Sequence, residues 1–432
     1  MYHKTIGGAV GALMLAFLSP QAMAADLGGN CCGDFEERIA ELEATTARKG
    51  NRKVSLSISG YVSHSVMFWD DGGASNMYIG DGGNVSSRFR LKGEAKISPD
   101  VTAGFLYEFG AYNNLLGSMT QGAGGDDLGG TITLRDSTVW LRHKNVGMVK
   151  IGHGSTATDN LILIDLGGTS SIVTPDVGLF NGSFQTRVAS LTFNGTPVPG
   201  AAGQLSGLTW NQFLNGGISF DTARRNHIMY ETPTLAGFVL SAAVAENDFW
   251  DVALRWSGEF GGFRMAAGIG RSVDKEAPTF GPLLLAADKI TQTMGSASVM
   301  HVASGLFLTG SAGLRETDWS FAFGPATITA KDASYWQLVG GWSKNVFGMG
   351  ATTLYAEYLM AKDMIGYSLT GPGVSGNLES DARVWGIGMV QNIDAAAMEI
   401  FLSYKRFEFD ANLNLTAGGT LNAVIGGMKI SF

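Results

Sequence analysis

Charged and apolar residues alternate along residues 86–97, which read SSRFRLKGEAKI. The cations Arg88, Arg90 and Lys92 share one parity, and the residues between them are apolar. Successive side chains of a β-strand point to opposite faces, so this run predicts a strand with one charged face and one apolar face. The same alternation returns in residues 422–432 at the C-terminus, which indicates that the two-faced pattern belongs to the chain as a whole.

Strand-like segments follow one another from residue 54 to the C-terminus, and we count 16 of them. They cover residues 54–68, 87–97, 101–110, 134–144, 147–153, 226–232, 237–246, 251–260, 262–272, 293–302, 305–314, 334–344, 350–362, 381–392, 396–409 and 422–432. The longer connections are residues 69–86, 111–133, 154–225, 273–292, 315–333, 363–380 and 410–421. An even number of strands, with short turns alternating with long loops, is typical of barrels in bacterial outer membranes. We therefore predict an all-β fold, a transmembrane antiparallel β-barrel of about 16 strands over residues 51–432.

The N-terminus has the pattern of a signal peptide. Lys4 precedes an apolar run at residues 6–18, and the small residues Ala22 and Ala24 follow. An apolar run of 13 residues is too short to span a bilayer easily, whereas it suits the apolar region of an export signal. We predict that residues 1–24 are the signal peptide, cleaved after Ala24, and we expect the exported protein in the bacterial outer membrane.

A short helical pattern lies between the signal and the barrel, within residues 25–50. Phe35, Ile39 and Leu42 are spaced by four and three residues, as in the seam of a coiled coil. The pattern fits a frayed surface helix, and it also fits a short coiled coil between subunits on the periplasmic side. The helix raises a second functional hypothesis, in which the barrel is structural and uses this segment to tether the envelope.

The connection at residues 154–225 is much longer than the others. Loops beyond about 12–15 residues in a compact protein are usually functional or disordered. This one contains the apolar stretches 161–166 and 177–180, which need a surface to pack against. It follows the fifth strand and is therefore the third external loop. We expect its first half to fold inward and to pack on the barrel wall.

Composition excludes several classes of function. The net charge of −8 argues against nucleic-acid binding, and the lack of a run of about 18 apolar residues argues against helical membrane spans. Cysteine occurs only as Cys31 and Cys32, and the six histidines are scattered, so we expect no metal and no cofactor. His64 is flanked by Ser63 and Ser65, but neighbours in a strand face oppositely, so we expect no nucleophile–base pair and no enzyme.

Five cations alternate with apolar residues along the predicted strands, which places them together on the inner face of the barrel as a basic wall. Its cations are Arg88, Arg90, Lys92, Arg142 and Lys150. On a lipid-facing surface each would cost about 2–4 kcal/mol near the bilayer midplane, so we expect all of them to face the water-filled interior. Together they would line the narrowest point of a channel, where positive side chains opposite carboxylates create a transverse field. In the alternative, single cations only pair with acids inside the barrel. These acids are Glu94, Glu108 and Asp136.

The long connection supplies the candidates for the opposite side of this field. They are Asp159, Asp165 and Asp176. We keep the alternative that these aspartates instead form turns or cap helices, as aspartates commonly do. The two possibilities differ in whether the carboxylates are free to face the channel.

Several segments of the chain resemble one known family. They are residues 52–72 (RKVSLSISGYVSHSVMFWDDG), 87–109 (SRFRLKGEAKISPDVTAGFLYEF), 139–160 (VWLRHKNVGMVKIGHGSTATDN) and the final strand to Phe432. In them the chain is similar to the alphaproteobacterial outer-membrane porins. The resemblance implies a trimeric barrel of about 16 strands with an inward third loop, which passes small hydrophilic solutes and ions passively. The implied partners are further copies of the chain, outer-membrane lipid and lipopolysaccharide.

Overall fold

The computed structural model describes residues 53–187, 190–193, 196–197, 204–216, 218–221, 224–275, 279–280, 285–372, 374–411 and 415–432. The predicted signal peptide at residues 1–24 and the predicted helix within residues 25–50 lie outside the described residues. No helix in the described part of the chain is long and apolar enough to cross a membrane.

Sixteen antiparallel strands of the described residues close into a barrel. They are β1 Ser55–Asp70, β2 Arg88–Lys96, β3 Val101–Asn113, β4 Gly130–His143, β5 Gly147–Gly154, β6 Arg225–Glu231, β7 Phe238–Ala245, β8 Phe249–Phe260, β9 Phe263–Asp274, β10 Lys289–His301, β11 Leu306–Asp318, β12 Ala333–Lys344, β13 Thr352–Lys362, β14 Ser380–Ile393, β15 Met398–Ala411 and β16 Leu415–Ser431. Each strand pairs with the next along the chain, and β16 returns to pair with β1. The sheet is therefore closed where its first and last strands meet, and neither of them is an unpaired edge strand.

The strands carry apolar side chains on the outer face of the barrel. In β4, Val139 and Leu141 are 59% and 52% exposed, whereas Thr138, of the opposite parity, is 3% exposed. Ile228 of β6 and Leu354 of β13 are similarly exposed. Water-soluble proteins bury most such side chains, and a band of them around a closed sheet is what acyl chains require. The opposite side of each strand is the inner face of the barrel.

The first strand changes its partner halfway along. β1 pairs with β2 from Ser55 opposite Glu94 to Tyr61 opposite Arg88. Beyond that point it pairs with the short strand Ser75–Asp81, which lies within the first long loop. The wall between β1 and β3 is therefore completed by a loop hairpin, which the alternation in the sequence does not predict.

Other long loops also contain regular structure. Two of them, after β11 and β13, form a four-stranded antiparallel sheet. Its strands are Ser320–Phe323, Ala326–Ala330, Tyr367–Gly371 and Val374–Leu378. The remaining short strands are Gln185–Arg187, Ser190–Phe193, Thr196–Pro197, Leu205–Thr209, Thr279–Phe280 and Leu285–Ala286. The helices are α1 Gly125–Leu128, α2 Gly178–Asn181 and α3 Trp210–Asn215, with 3₁₀ turns at Leu116–Ser118, Leu161–Leu163 and Asp394–Ala396.

Residues 155–224, between β5 and β6, form the segment that we call the long connection. Its helix α3 begins with a capping box between Thr209 and Gln212, and it ends at Gly216, whose φ of 65° is left-handed. These signals fix both ends of a helix that is too short to be stable alone. The stability of α3 must therefore come from the packing of its side chains.

The buried core joins the long connection to the barrel strands. The ring of Trp210 in α3 lies 5.7 Å from that of Phe407 and 5.4 Å from that of Phe409 in β15, measured between centroids. Phe213 lies 4.4 Å from Phe409. Further core residues of the long connection are Leu161, Ile172, Val177, Phe180, Phe184 and Leu214. The apolar stretches of the long connection are thus packed against strand side chains.

Candidate channel constriction

Three arginines of the inner face bind one glutamate. Arg135 Nε lies 2.7 Å and Arg88 Nη1 3.4 Å from Glu108 Oε1, and Arg90 Nε bonds the other carboxylate oxygen. Charge-assisted bonds of this kind are about twice as strong as neutral ones. Three positive charges and one negative charge leave a net charge of +2 on this group, which we call the arginine cluster.

A β-bulge brings Arg135 into the arginine cluster. The register between β3 and β4 pairs Glu108 with Asp136, and it pairs the next residue, Phe109, with Leu134. Arg135 is the extra residue, and two consecutive residues of β4 consequently reach the inner face. Strict alternation from Thr138 places Arg135 on the outer face, which is why the sequence pattern missed it. The signal that was available is its charge, which lipid would not accommodate.

The other predicted cations lie elsewhere on the same wall, Lys92 and Arg142 towards the short turns and Lys150 with its ammonium towards the long connection. Lys92 Nζ is 3.2 Å from Glu94 Oε2. The guanidinium carbon of Arg142 lies 5.3 Å from the centroid of the Trp140 ring. Lys150 Nζ donates to a backbone carbonyl at the start of the long connection, at 2.8 Å. The structure therefore brings Arg88 and Arg90 together with Arg135, and it spreads the remaining three predicted cations over neighbouring strands.

Two of the three predicted opposing carboxylates are hydrogen-bonded within the long connection. The two oxygens of Asp165 accept the backbone N–H groups of Gly167 and Thr169, both at 2.7 Å. Asp176 accepts a hydrogen bond from the Asn215 side chain, and burial raises the pKa of its carboxyl. Asp159 is buried, and its Oδ2 has no hydrogen-bond partner among the described residues. That these groups face the cations remains a prediction, and the observed contacts favour the turn alternative for Asp165.

Arg90 and Lys92 are the exposed cations of this part of the wall, whereas Arg88, Arg135 and Glu108 are mostly buried. The side chains of Arg90 and Lys92 are 41% and 53% exposed, whereas that of Glu108 is 6% exposed. Asp136 and Asp251 are also buried, at 7% and 1%. Asp251, on β8, has its carboxylate oxygens occupied, because they accept two backbone N–H groups and one hydroxyl of the long connection. With Glu94 as an exposed exception, water along this wall meets mainly positive charge.

Comparison with family models matches residues 9–412 to the Gram-negative porins. The chain belongs to the Gram-negative porin family. This porin is therefore an outer-membrane diffusion channel and not an enzyme. Comparison with curated proteins finds no match.

Solved structures similar to this porin share its fold. An anion-selective porin from Comamonas acidovorans is 19% identical, with 88% of this chain and 100% of that chain covered and a TM-score of 0.53. OmpT of Vibrio cholerae, in a trimer form, is 15% identical, with 88% and 99% covered and a TM-score of 0.51. OprB of Pseudomonas putida is 8% identical, with 92% and 97% covered and a TM-score of 0.53. At these identities the likeness concerns the fold alone.

A buried ion pair holds one part of the porin's long connection. Lys405 of β15 bonds Glu357 of β13, and their side chains are 0% and 1% exposed. Lys405 Nζ also lies 4.9 Å from the centre of the Phe180 ring. Gln337 Nε2 donates to Glu357 Oε2 at 3.2 Å and to the Thr174 carbonyl at 3.3 Å. The pair thus contacts the long connection directly at Phe180, and Gln337 links it to a second point at Thr174.

A buried arginine of the porin holds a second part. Arg315 of β11 is fully buried and donates to the Asn215 carbonyl at 2.8 Å, and also to the Ile218 carbonyl. These carbonyls lie at and just beyond the C-terminus of α3, where a positive charge is favourable. The Arg315 guanidinium also lies 4.4 Å from the ring centre of Phe220. The region after α3 is therefore fixed by one charged side chain.

Proposed function

We propose that this porin is an anion-preferring channel, in which the arginine cluster and the cations beside it form one wall of the constriction. The observation that carries the proposal is that Glu108 is 6% exposed and bonded by three arginines, while the side chains of Arg90 and Lys92 on the neighbouring strand are 41% and 53% exposed. The charges that water meets at the narrowest point dominate the selectivity of a channel. Small hydrophilic anions would therefore be concentrated along this wall, while the overall charge of the protein is negative.

The long connection is proposed to fold into the lumen and to narrow it, as the third external loop. Its Leu161 carbonyl accepts from Ser296 of β10 at 2.6 Å, and its Gly167 carbonyl accepts from Thr353 of β13 at 3.0 Å. Ser296 has the parity opposite to that of the apolar outer residues of its strand. These contacts support a course along the far wall, which leaves the side of β2 to β5 for water.

The constriction therefore has a positive wall, while the carboxylates proposed for the opposite side are partly withdrawn. Asp159, Asp165 and Asp176 remain our candidates for the negative side, with Asp159 favoured because one of its oxygens is unpartnered among the described residues. An unequal field of this kind favours anions over cations. The anion selectivity named for the Comamonas acidovorans porin is in keeping with this proposal.

Reversal potentials in planar bilayers test the proposal. The wild-type porin is expected to prefer chloride over potassium, and the triple variant Arg88→Gln, Arg90→Gln, Lys92→Gln is expected to shift the potential towards cations. Arg271→Gln is a matched control, because Arg271 shares the parity of the exposed Ile269 on the outer face. A wild-type preference for cations, or a triple variant that behaves like the control, would count against the basic wall.

Further proposals concern assembly and processing. We propose a homotrimer, surrounded by outer-membrane lipid and lipopolysaccharide, in keeping with the trimer form named for the Vibrio cholerae OmpT structure. We also propose that the chain belongs with the alphaproteobacterial porins, that it is cleaved after Ala24, and that the segment 25–50 contains a short helix before the barrel. The mass of the purified porin in detergent, by light scattering, and its N-terminal sequence test the trimer and the cleavage.

A further inference from the structure

A tryptophan lies against the inner face of the barrel, close to the short turns. Trp140 is half-buried and has the parity opposite to that of the exposed Val139 and Leu141. It pairs in register with Gly104 of β3, and a Cβ added to Gly104 would overlap the indole ring. Only glycine at this position lets the ring lie against the neighbouring strand. Trp140 is not part of the buried core around the long connection.

One cation lies against this ring, and a second is its partner on the next strand, with its ammonium bonded to the Ser155 carbonyl of the long connection. The Arg142 guanidinium carbon lies 5.3 Å from the ring centroid, and Arg142 Nη2 contacts the sulfur of Met148 at 3.3 Å. Lys150 is the cross-strand partner of Trp140, with the same inward parity. Arg142 is exposed and makes no ion pair with a described residue, so most of its donors are free for a solute. We call Trp140, Arg142 and Lys150 the indole–cation platform.

We propose that the indole–cation platform binds solutes that carry a carboxylate on a ring. The carboxylate would bond the Arg142 fork, with the positive charge of Lys150 on the neighbouring strand adding to the attraction, while the ring would lie against the indole. Neither an open-chain carboxylate nor an uncharged ring can use both parts. The proposal rests on the proposed function, because solutes must pass along this wall to reach the platform.

Block of single-channel currents measures this binding. The solutes are glucuronate and benzoate, which join a ring to a carboxylate, with gluconate as the open-chain carboxylate and glucose as the uncharged ring. We expect at least one ring carboxylate to block with an apparent dissociation constant about two- to fivefold below that of gluconate, the range that a contact with an exposed aromatic ring supplies. Glucose should block least, because it lacks the charge.

Substitutions assign the effect to the platform. Trp140→Leu should remove the preference for the ring carboxylate, and Trp140→Phe should keep part of it. Gly104→Ala should also remove the preference, because it displaces the ring without changing any charge. Arg142→Gln should weaken the block by the ring carboxylates and by gluconate alike. Trp336→Leu is the matched control, since Trp336 is on the exposed outer face, and it should behave like the wild type.

The outcomes separate this inference from the proposed function. Equal block of the wild-type porin by gluconate and by both ring carboxylates would overturn the platform, and so would a preference that survives both Trp140→Leu and Gly104→Ala. A wild-type channel that prefers cations would overturn the anion-preferring wall instead. A preference lost in Trp140→Leu and kept in Trp336→Leu supports the platform, and comparing glucuronate with benzoate then shows which kind of ring is taken.

Discussion

Glu357 and Lys405 form their buried ion pair across a glycine of the strand between them. Gly386 of β14 is the register partner of Glu357 on one side and of Lys405 on the other. A Cβ added to Gly386 would lie 2.9 Å from Glu357 Oε1, so any other residue would push into the pair. The glycine leaves the space in which two side chains from non-adjacent strands meet beneath Phe180 of the long connection.

Lys405→Met should strongly destabilise the porin. The substitution keeps the length of the side chain, but it leaves the Glu357 carboxylate buried without its cation. Breaking a buried pair by removing one partner costs about 3–5 kcal/mol. The measurement is the free energy of unfolding of the folded barrel, from denaturant titration in detergent micelles.

Two controls accompany this prediction. The double variant Lys405→Met, Glu357→Gln removes both charges, and replacing a buried pair with uncharged groups of similar size should cost much less than breaking it. Arg264→Gln removes an exposed pair, whose N–O distance is 2.7 Å, and should cost about 1 kcal/mol or less. If Lys405→Met cost no more than Arg264→Gln, the pair would not hold the long connection.

Alternation in the sequence predicted the barrel because lipid imposes it. Each of the 16 predicted segments coincides with one barrel strand, and the closed antiparallel barrel is confirmed. The ends were less accurate. The last strand was predicted to begin at residue 422, but it begins at Leu415. Residues 415–421 carry no charge, and apolar and polar positions do not alternate along them, so nothing in the sequence indicated a strand there. The loop strands, such as Ser75–Asp81, were missed because nothing outside the bilayer enforces a two-residue period.

The site was predictable only where the strand was regular. Arg88 and Arg90 follow the alternation of β2, and the structure brings both to Glu108. Arg135 was missed because a bulge changes the parity of β4, and a single sequence does not reveal a bulge. The partners of Asp165 and Asp176 come from the folded course of the long connection, which local pattern does not determine.

Arg135→Gln tests the bulge directly. If Arg135 belongs to the arginine cluster, removing its charge should shift the reversal potential of the channel towards cations, in the same direction as Arg90→Gln. If it followed strict alternation, it would face lipid and the substitution would leave selectivity unchanged. Planar-bilayer measurements under a potassium chloride gradient distinguish the two. Arg271→Gln on the outer face is again the control.

Asp176→Asn should flatten the dependence of stability on pH. Burial raises the pKa of the Asp176 carboxyl in the folded porin above its value in the unfolded chain. A raised pKa means that this group supports the folded state at low pH, and that the support is lost as pH rises through the folded value. Asparagine stays uncharged and keeps an oxygen that can accept from Asn215.

The test of Asp176→Asn is the unfolding midpoint in denaturant between pH 4 and pH 8. The variant should match or exceed the wild type at the upper end, and the wild type should lose more stability as pH rises. A wild type and variant with the same pH slope, or a variant that is less stable at pH 8 alone, would contradict the raised pKa of the Asp176 carboxyl.

Glu108→Gln separates charge from position in the arginine cluster. The substitution raises the net charge of the group from +2 to +3, so the reversal potential should move further towards anions. It also replaces the charged carboxylate that three guanidiniums share with an amide that has a single acceptor oxygen, and hydrogen bonds to charged groups contribute about 1.5–3 kcal/mol each. The free energy of unfolding should therefore fall.

Asp136→Asn is the control that separates the loss of a buried negative charge from the loss of the arginine contacts of Glu108. Asp136 lies opposite Glu108 in β4 and is similarly buried, but it accepts from the Thr138 hydroxyl at 2.6 Å, and no arginine among the described residues bonds it. Its neutralisation should raise the anion preference by a similar amount with a smaller loss of stability. If Glu108→Gln instead lowered the anion preference while Asp136→Asn raised it, selectivity would depend on how Glu108 positions the arginines. Net charge on the wall would then not be the quantity that decides which ions pass.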